Sequence, residues 1–123
     1  MSEKFIQANG LNIHYEERGS GTPLILLHGG SSTLDEWLGH MPAFETRFHV
    51  FALDSRGHGQ TDNPLGKLSY RMMADDAAAF IEALQLDRPF VCGYSDGGQI
   101  ALELAIRHPG LARLPGAVPL PKA

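Results

Sequence analysis

Cysteine is nearly missing from this chain: Cys92 is the only one in 123 residues, so no disulfide can form within it. Cys92 falls in an apolar run, Pro89-Phe90-Val91-Cys92, where a buried and inert thiol is expected, and such sparing use of cysteine suits a reducing cytoplasm. Basic charge is also scarce. Ten Lys and Arg against 14 Asp and Glu leave a net charge of −4, with the two signs interspersed, so there is no basic stripe for nucleic acid and no polybasic patch for a membrane surface. Long apolar runs are lacking too. Met1-Ser2-Glu3-Lys4-Phe5 does not open a signal peptide, and no segment approaches the roughly 18 apolar residues of a membrane span, so a soluble cytoplasmic protein is expected.

Two nucleotide motifs fail, the first at two positions and the second at one. A phosphate-cradling loop ending at Gly66-Lys67 would need glycine where Thr61 stands and a hydroxyl residue where Leu68 stands. A dinucleotide fingerprint begun at Gly57-His58-Gly59 would need glycine in place of Asp62. His14, His40, His49 and His108 are scattered singly without metal-ligand spacing, so neither metal nor cofactor is expected.

What the chain does contain is an alternation of strands and helices. Phe5 to Ala8 and Leu11 to Glu17 alternate apolar and polar residues around Asn9-Gly10, which predicts an antiparallel hairpin with a tight turn. Pro23 to Leu27 is continuously apolar, as a strand buried on both faces reads, and Phe48 to Leu53 and Phe90 to Gly93 are predicted as further buried strands. Between them a helix is predicted from Thr33 or Leu34 to Thr46, weakened by Gly39 and Pro42. Ser69 caps a second helix, Tyr70 to Gln85, with Met73, Ala77, Phe80, Ile81 and Leu84 on one apolar face as core packing. A third helix follows Gly93 and stops near His108-Pro109-Gly110. This order implies an α/β fold with parallel strands, reactive groups collecting at their carboxyl ends.

The most informative segment is Gly93-Tyr94-Ser95-Asp96-Gly97-Gly98, between the last strand and the last helix. A chain that reverses there thrusts its central side chain outward and crowds the positions two before and two after, which Gly93 and Gly97 fill. The Ser95 hydroxyl at a helix amino end would be exposed to a bound carbonyl, with the amide of Asp96 aimed where an oxyanion forms. Asp96 itself is a weaker candidate for nucleophile, because centring the turn on it puts Tyr94 at a crowded flanking position.

His28-Gly29-Gly30, Asp54-Ser55-Arg56-Gly57-His58-Gly59 and the Ser95 turn, in that order at the ends of successive strands, resemble the first half of an α/β-hydrolase-fold enzyme, over residues from about 4 to 110. The resemblance implies Ser95 as nucleophile of a hydrolase acting through an acyl-enzyme on a small-molecule ester or amide. It also implies an oxyanion hole of the Gly30 and Asp96 amides. His28 and Gly29 would shape the loop, and Asp54 and Arg56 would pin theirs as a pair, with His58 near the site mouth.

The rest of such a site is not legible. In that family the base and acid follow the serine. His108 is the only histidine after Ser95, and at the far end of the helix it would lie about thirteen residues, roughly 20 Å, away. Nothing acidic follows Glu103. The domain is therefore expected to end near 110, with a proline-rich tail, 111–123, where another strand would be due. That tail points to a truncated or altered-frame product. The alternative to a hydrolase is a catalytically silent fragment that folds only in part, or a silent chain that binds a partner through its open sheet edge.

Overall fold

The computed structural model describes residues 3–113. Five strands form one sheet in the order β1-β2-β4-β3-β5. The strands are β1 (Glu3–Ala8), β2 (Leu11–Arg18), β3 (Thr22–Leu27), β4 (Phe48–Leu53) and β5 (Phe90–Gly93). β1 and β2 form the expected hairpin, with Asn9 and Gly10 both at positive φ and Ala8 opposite Leu11. β2 runs antiparallel to β4, whereas β3 is parallel to both β4 and β5.

The buried strands serve two cores because strand side chains alternate between faces. Ile25, Leu27, Phe51, Leu53 and Val91 face α2 (Tyr70–Ala83) and α3 (Asp96–Arg107), packing on Phe80, Ile81, Ile100 and Leu104. Leu24, Leu26, Val50 and Ala52 face the opposite way, onto Leu34, Trp37 and Met41.

Those last three residues lie where one helix was expected from Thr33 or Leu34 to Thr46, and the structure corrects that reading. A 3-10 turn, Leu34–Trp37, and a four-residue helix α1 (Met41–Phe44) replace it. Gly39 stands between them and Pro42 opens α1, so two short pieces aim Trp37 and Met41 inward without a continuous hydrogen-bond ladder. α2 begins as expected, with the Ser69 hydroxyl accepting from the Met72 amide at 3.1 Å, but it ends at Ala83 rather than Gln85, which takes positive φ.

Leu111 and Ala112 pack against the core, and the Arg113 amide donates to the Pro89 carbonyl at 2.8 Å in a parallel bridge with Phe90. Contact with the sheet thus continues past residue 110. The remainder of the tail, 114–123, lies outside the described residues. No helix among the described residues is long and apolar enough to cross a membrane.

Candidate active site

The turn between β5 and α3 places Ser95 at the N-cap of α3 with φ 55° and ψ −112°, a conformation costly for a residue with a Cβ. Its carbonyl accepts from the Gly98 and Gln99 amides at 2.9 and 3.2 Å, and its side chain is exposed. Two glycines permit the bend. A Cβ on Gly93 would fall under 3.0 Å from the Gly97 carbonyl, and one on Gly97 under 3.0 Å from the Leu27 carbonyl. Asp96 is the first residue of α3, so its amide has no partner within the helix.

Gly30 comes from the loop after β3, exposed beside the turn, while Gly29 is buried against the Tyr94 ring. A Cβ on Gly30 would meet the Asp96 carboxylate. The other Asp96 oxygen accepts from the Tyr70 hydroxyl at 2.7 Å, tying the start of α2 to the start of α3. That bond, and then burial, push the Tyr70 phenol above its ordinary pKa. Gly30, His58, Leu68, Ser69, Tyr70 and Asp96 are among the residues that line an open cavity of about 570 Å³, with Ser31 and Met73 completing the lining.

His28 is fully buried and structural in its bonding. Its Nε2 accepts from the Ser55 amide at 3.0 Å, so Nδ1 carries the proton and donates to the Gly29 carbonyl at 2.6 Å. Burial holds its pKa below the ordinary imidazole value, against the opposing pull of the Gly29 bond. One imidazole thereby joins the Gly30 loop to the loop after β4.

Asp54 and Arg56 both pin that second loop, but not as partners of each other, which corrects the expected pairing. Asp54 accepts from the Leu34 and Gln60 amides and lies 2.7 Å from His14 Nδ1, so His14 is engaged rather than isolated. Arg56 forms a bidentate bond to Asp76 on α2, at 2.9 Å from Nε and 2.8 Å from the terminal nitrogen. The hydrogen bond to Asp76 raises the Arg56 pKa further. Asp76 went unnoticed in the sequence, although a carboxylate three residues from Met73 and four from Phe80, inside an apolar stripe, demands a buried partner.

His108 caps the far end of α3 and lies 2.8 Å from Asp75, which also holds Arg107. It is not placed beside Ser95. Among the described residues no histidine is hydrogen-bonded to the Ser95 hydroxyl.

The sheet order, the turn and the two loops meet in one known architecture: the chain matches the alpha/beta hydrolase fold over residues 22–113 and belongs to that family. It is 34% identical to a soluble epoxide hydrolase from a Corynebacterium species, an alignment covering 94% of this chain and 45% of the relative. Among solved structures it resembles an N-acyl homoserine lactone degrading enzyme, with TM-score 0.81 and 36% identity over 87% of this chain and 41% of the other. It also resembles an enol-lactonase from Burkholderia xenovorans, with TM-score 0.84 and 26% identity over 89% of this chain and 44% of that one. The chain thus spans less than half the length of these relatives.

Proposed function

We propose that this chain carries the nucleophilic half of a cytoplasmic serine hydrolase acting on a small-molecule carbonyl substrate, an ester, lactone or amide. The observation that supports this best is the strained, exposed Ser95 at the joint of β5 and α3. In this reading Ser95 Oγ attacks the carbonyl carbon as its proton passes to a base, and the Gly30 and Asp96 amides receive the oxyanion. The leaving group departs with that proton, and water then cleaves the acyl ester to release the acid and restore the hydroxyl. The base and the carboxylate that orients it come from outside residues 3–113.

Relatives named for epoxide hydrolysis raise the question of which bond is attacked. A serine oxygen that opened an epoxide would become an ether, which water does not readily cleave, whereas a serine ester is hydrolysed. The glycine frame of residues 93 and 97 is centred on Ser95 and not on Asp96, so acyl chemistry is favoured. Incubation of the 123-residue chain with a fluorophosphonate and added imidazole, which supplies the base that residues 3–113 do not, tests this. A single adduct at Ser95, lost in Ser95→Ala, is expected; a folded chain that takes up none overturns it in favour of a silent, partner-binding chain.

A further inference from the structure

The cavity lined by Asp96, the residue after Ser95, has one charged side chain that the proposed chemistry does not use. Asp96 contributes its amide to the oxyanion reading, while its carboxylate is left facing the cavity between Gly30 and Tyr70. Two oxygens are held in two ways: one accepts the Tyr70 hydroxyl, and the other lies where a Cβ on residue 30 would be. A freely rotating carboxylate would screen itself in water; this one is kept in the wall.

We infer that the Asp96 carboxylate, positioned by Tyr70 against Gly30, is a specificity determinant: it makes the cavity accept substrates that are neutral or cationic around the reacting carbonyl and refuse those bearing a carboxylate there. This rests on the serine hydrolase reading for what the cavity binds. The amino end of α3 works in the opposite direction, since a helix N-terminus carries about half a positive charge and attracts anions. A full negative charge in its first turn outweighs that half, so the sum at the mouth of the helix is negative. Asp96 is in effect the resident anion of that terminus, and a substrate carboxylate would have to displace it. His58 is the other titratable group in the lining besides Tyr70, and it adds positive charge only when protonated.

The consequence is an inversion rather than a simple loss. With Asp96→Asn the helix terminus is left without its anion, so the preference should pass from cations to anions. The test measures binding of benzyltrimethylammonium and of 3-phenylpropanoate to the 123-residue chain at about pH 8 and at low salt. The readout is the amide NMR shifts of Gly30, Tyr70 and Asp96. The unaltered chain is expected to bind the cation at least about tenfold more tightly, an effect of the size two charges a few ångströms apart exert near a protein surface. Asp96→Asn should reverse the ratio, and Tyr70→Phe, which frees the carboxylate, should give an intermediate one; an Asp96→Asn chain that still prefers the cation overturns the inference. Equal affinities, an anion preference, or no shift at these amides with either ligand overturns the inference. Fluorophosphonate labelling of the same chain with added imidazole reports separately on Ser95, so a failed nucleophile and a failed charge filter are told apart.

Discussion

Gly93 lies so close to Gly97 that a Cβ on the first would fall under 3.0 Å from the carbonyl carbon and oxygen of the second. Both clashing groups are backbone, so no rotamer change relieves them. Gly93→Ala is expected to cost about 3 kcal/mol, the upper end for overpacking, and to displace Ser95. Gly39→Ala is the matched control, since nothing stands within 4 Å of its Cβ position. It should be neutral or stabilise by up to about 1 kcal/mol through the unfolded chain. Urea unfolding of the two variants beside the parent chain measures both.

Arg56 and Asp76 are both buried, and each satisfies the other. Arg56→Ala should destabilise the chain by about 3–5 kcal/mol, because it strands a carboxylate that also takes a hydrogen bond from Asn9. The double variant Arg56→Met, Asp76→Leu should cost much less than the sum of the single changes. A double-mutant cycle that came out additive would refute the pairing.

The parts of this fold that could be read from the sequence are those governed by neighbours in the chain. Strands β3, β4 and β5 announced themselves as apolar runs, Asn9-Gly10 as a hairpin turn and Ser69 as a cap, because each signal and its structural cause lie within a few residues. The glycines around Ser95 belong to the same class. The failures have another origin. Gly39 and Pro42 compete with an apolar periodicity that asks for one helix, and the packing of Trp37 and Met41 decides for two fragments. Arg56 finds Asp76 twenty residues away, and Tyr70 finds Asp96 twenty-six away. Both contacts exist only once α2 has been laid against the sheet, so no local pattern could name the partners.

His28 makes stability pH-dependent in a defined window. Its folded pKa lies below the unfolded value of 6.5, so the unfolded chain takes up a proton before the folded one does. Its contribution is complete above 6.5 and is lost progressively as pH falls from there toward the folded value. Asp75 acts lower: its pKa is depressed, first by the Arg107 hydrogen bond, so its contribution persists above 3.8 and disappears as pH falls through its folded value. Urea unfolding at successive pH values should therefore show two separate declines. A His28 that titrates by NMR at or above 6.5 would contradict the first.

Gly30→Ala separates folding from function at the site. The atom a new Cβ would meet is the end of the Asp96 side chain, not backbone, so the carboxylate can swing aside and stability should change by less than about 1 kcal/mol. Swinging aside costs the Tyr70 bond, however, and that bond is the first cause of the raised Tyr70 pKa. Ultraviolet titration should then show one tyrosine ionising at lower pH than in the parent chain, while Tyr15, raised by its own burial, is unmoved. Imidazole-assisted fluorophosphonate labelling of Ser95 should fall as well, because the methyl and the displaced carboxylate crowd the amide proposed to bind the oxyanion. Loss of one such donor is worth roughly 3–4 kcal/mol of transition-state stabilisation, a drop of at least a hundredfold in rate. A Gly30→Ala chain that labels at the parent rate with an altered Tyr70 titration would remove the Gly30 amide from the mechanism while leaving the Tyr70–Asp96 tether in place.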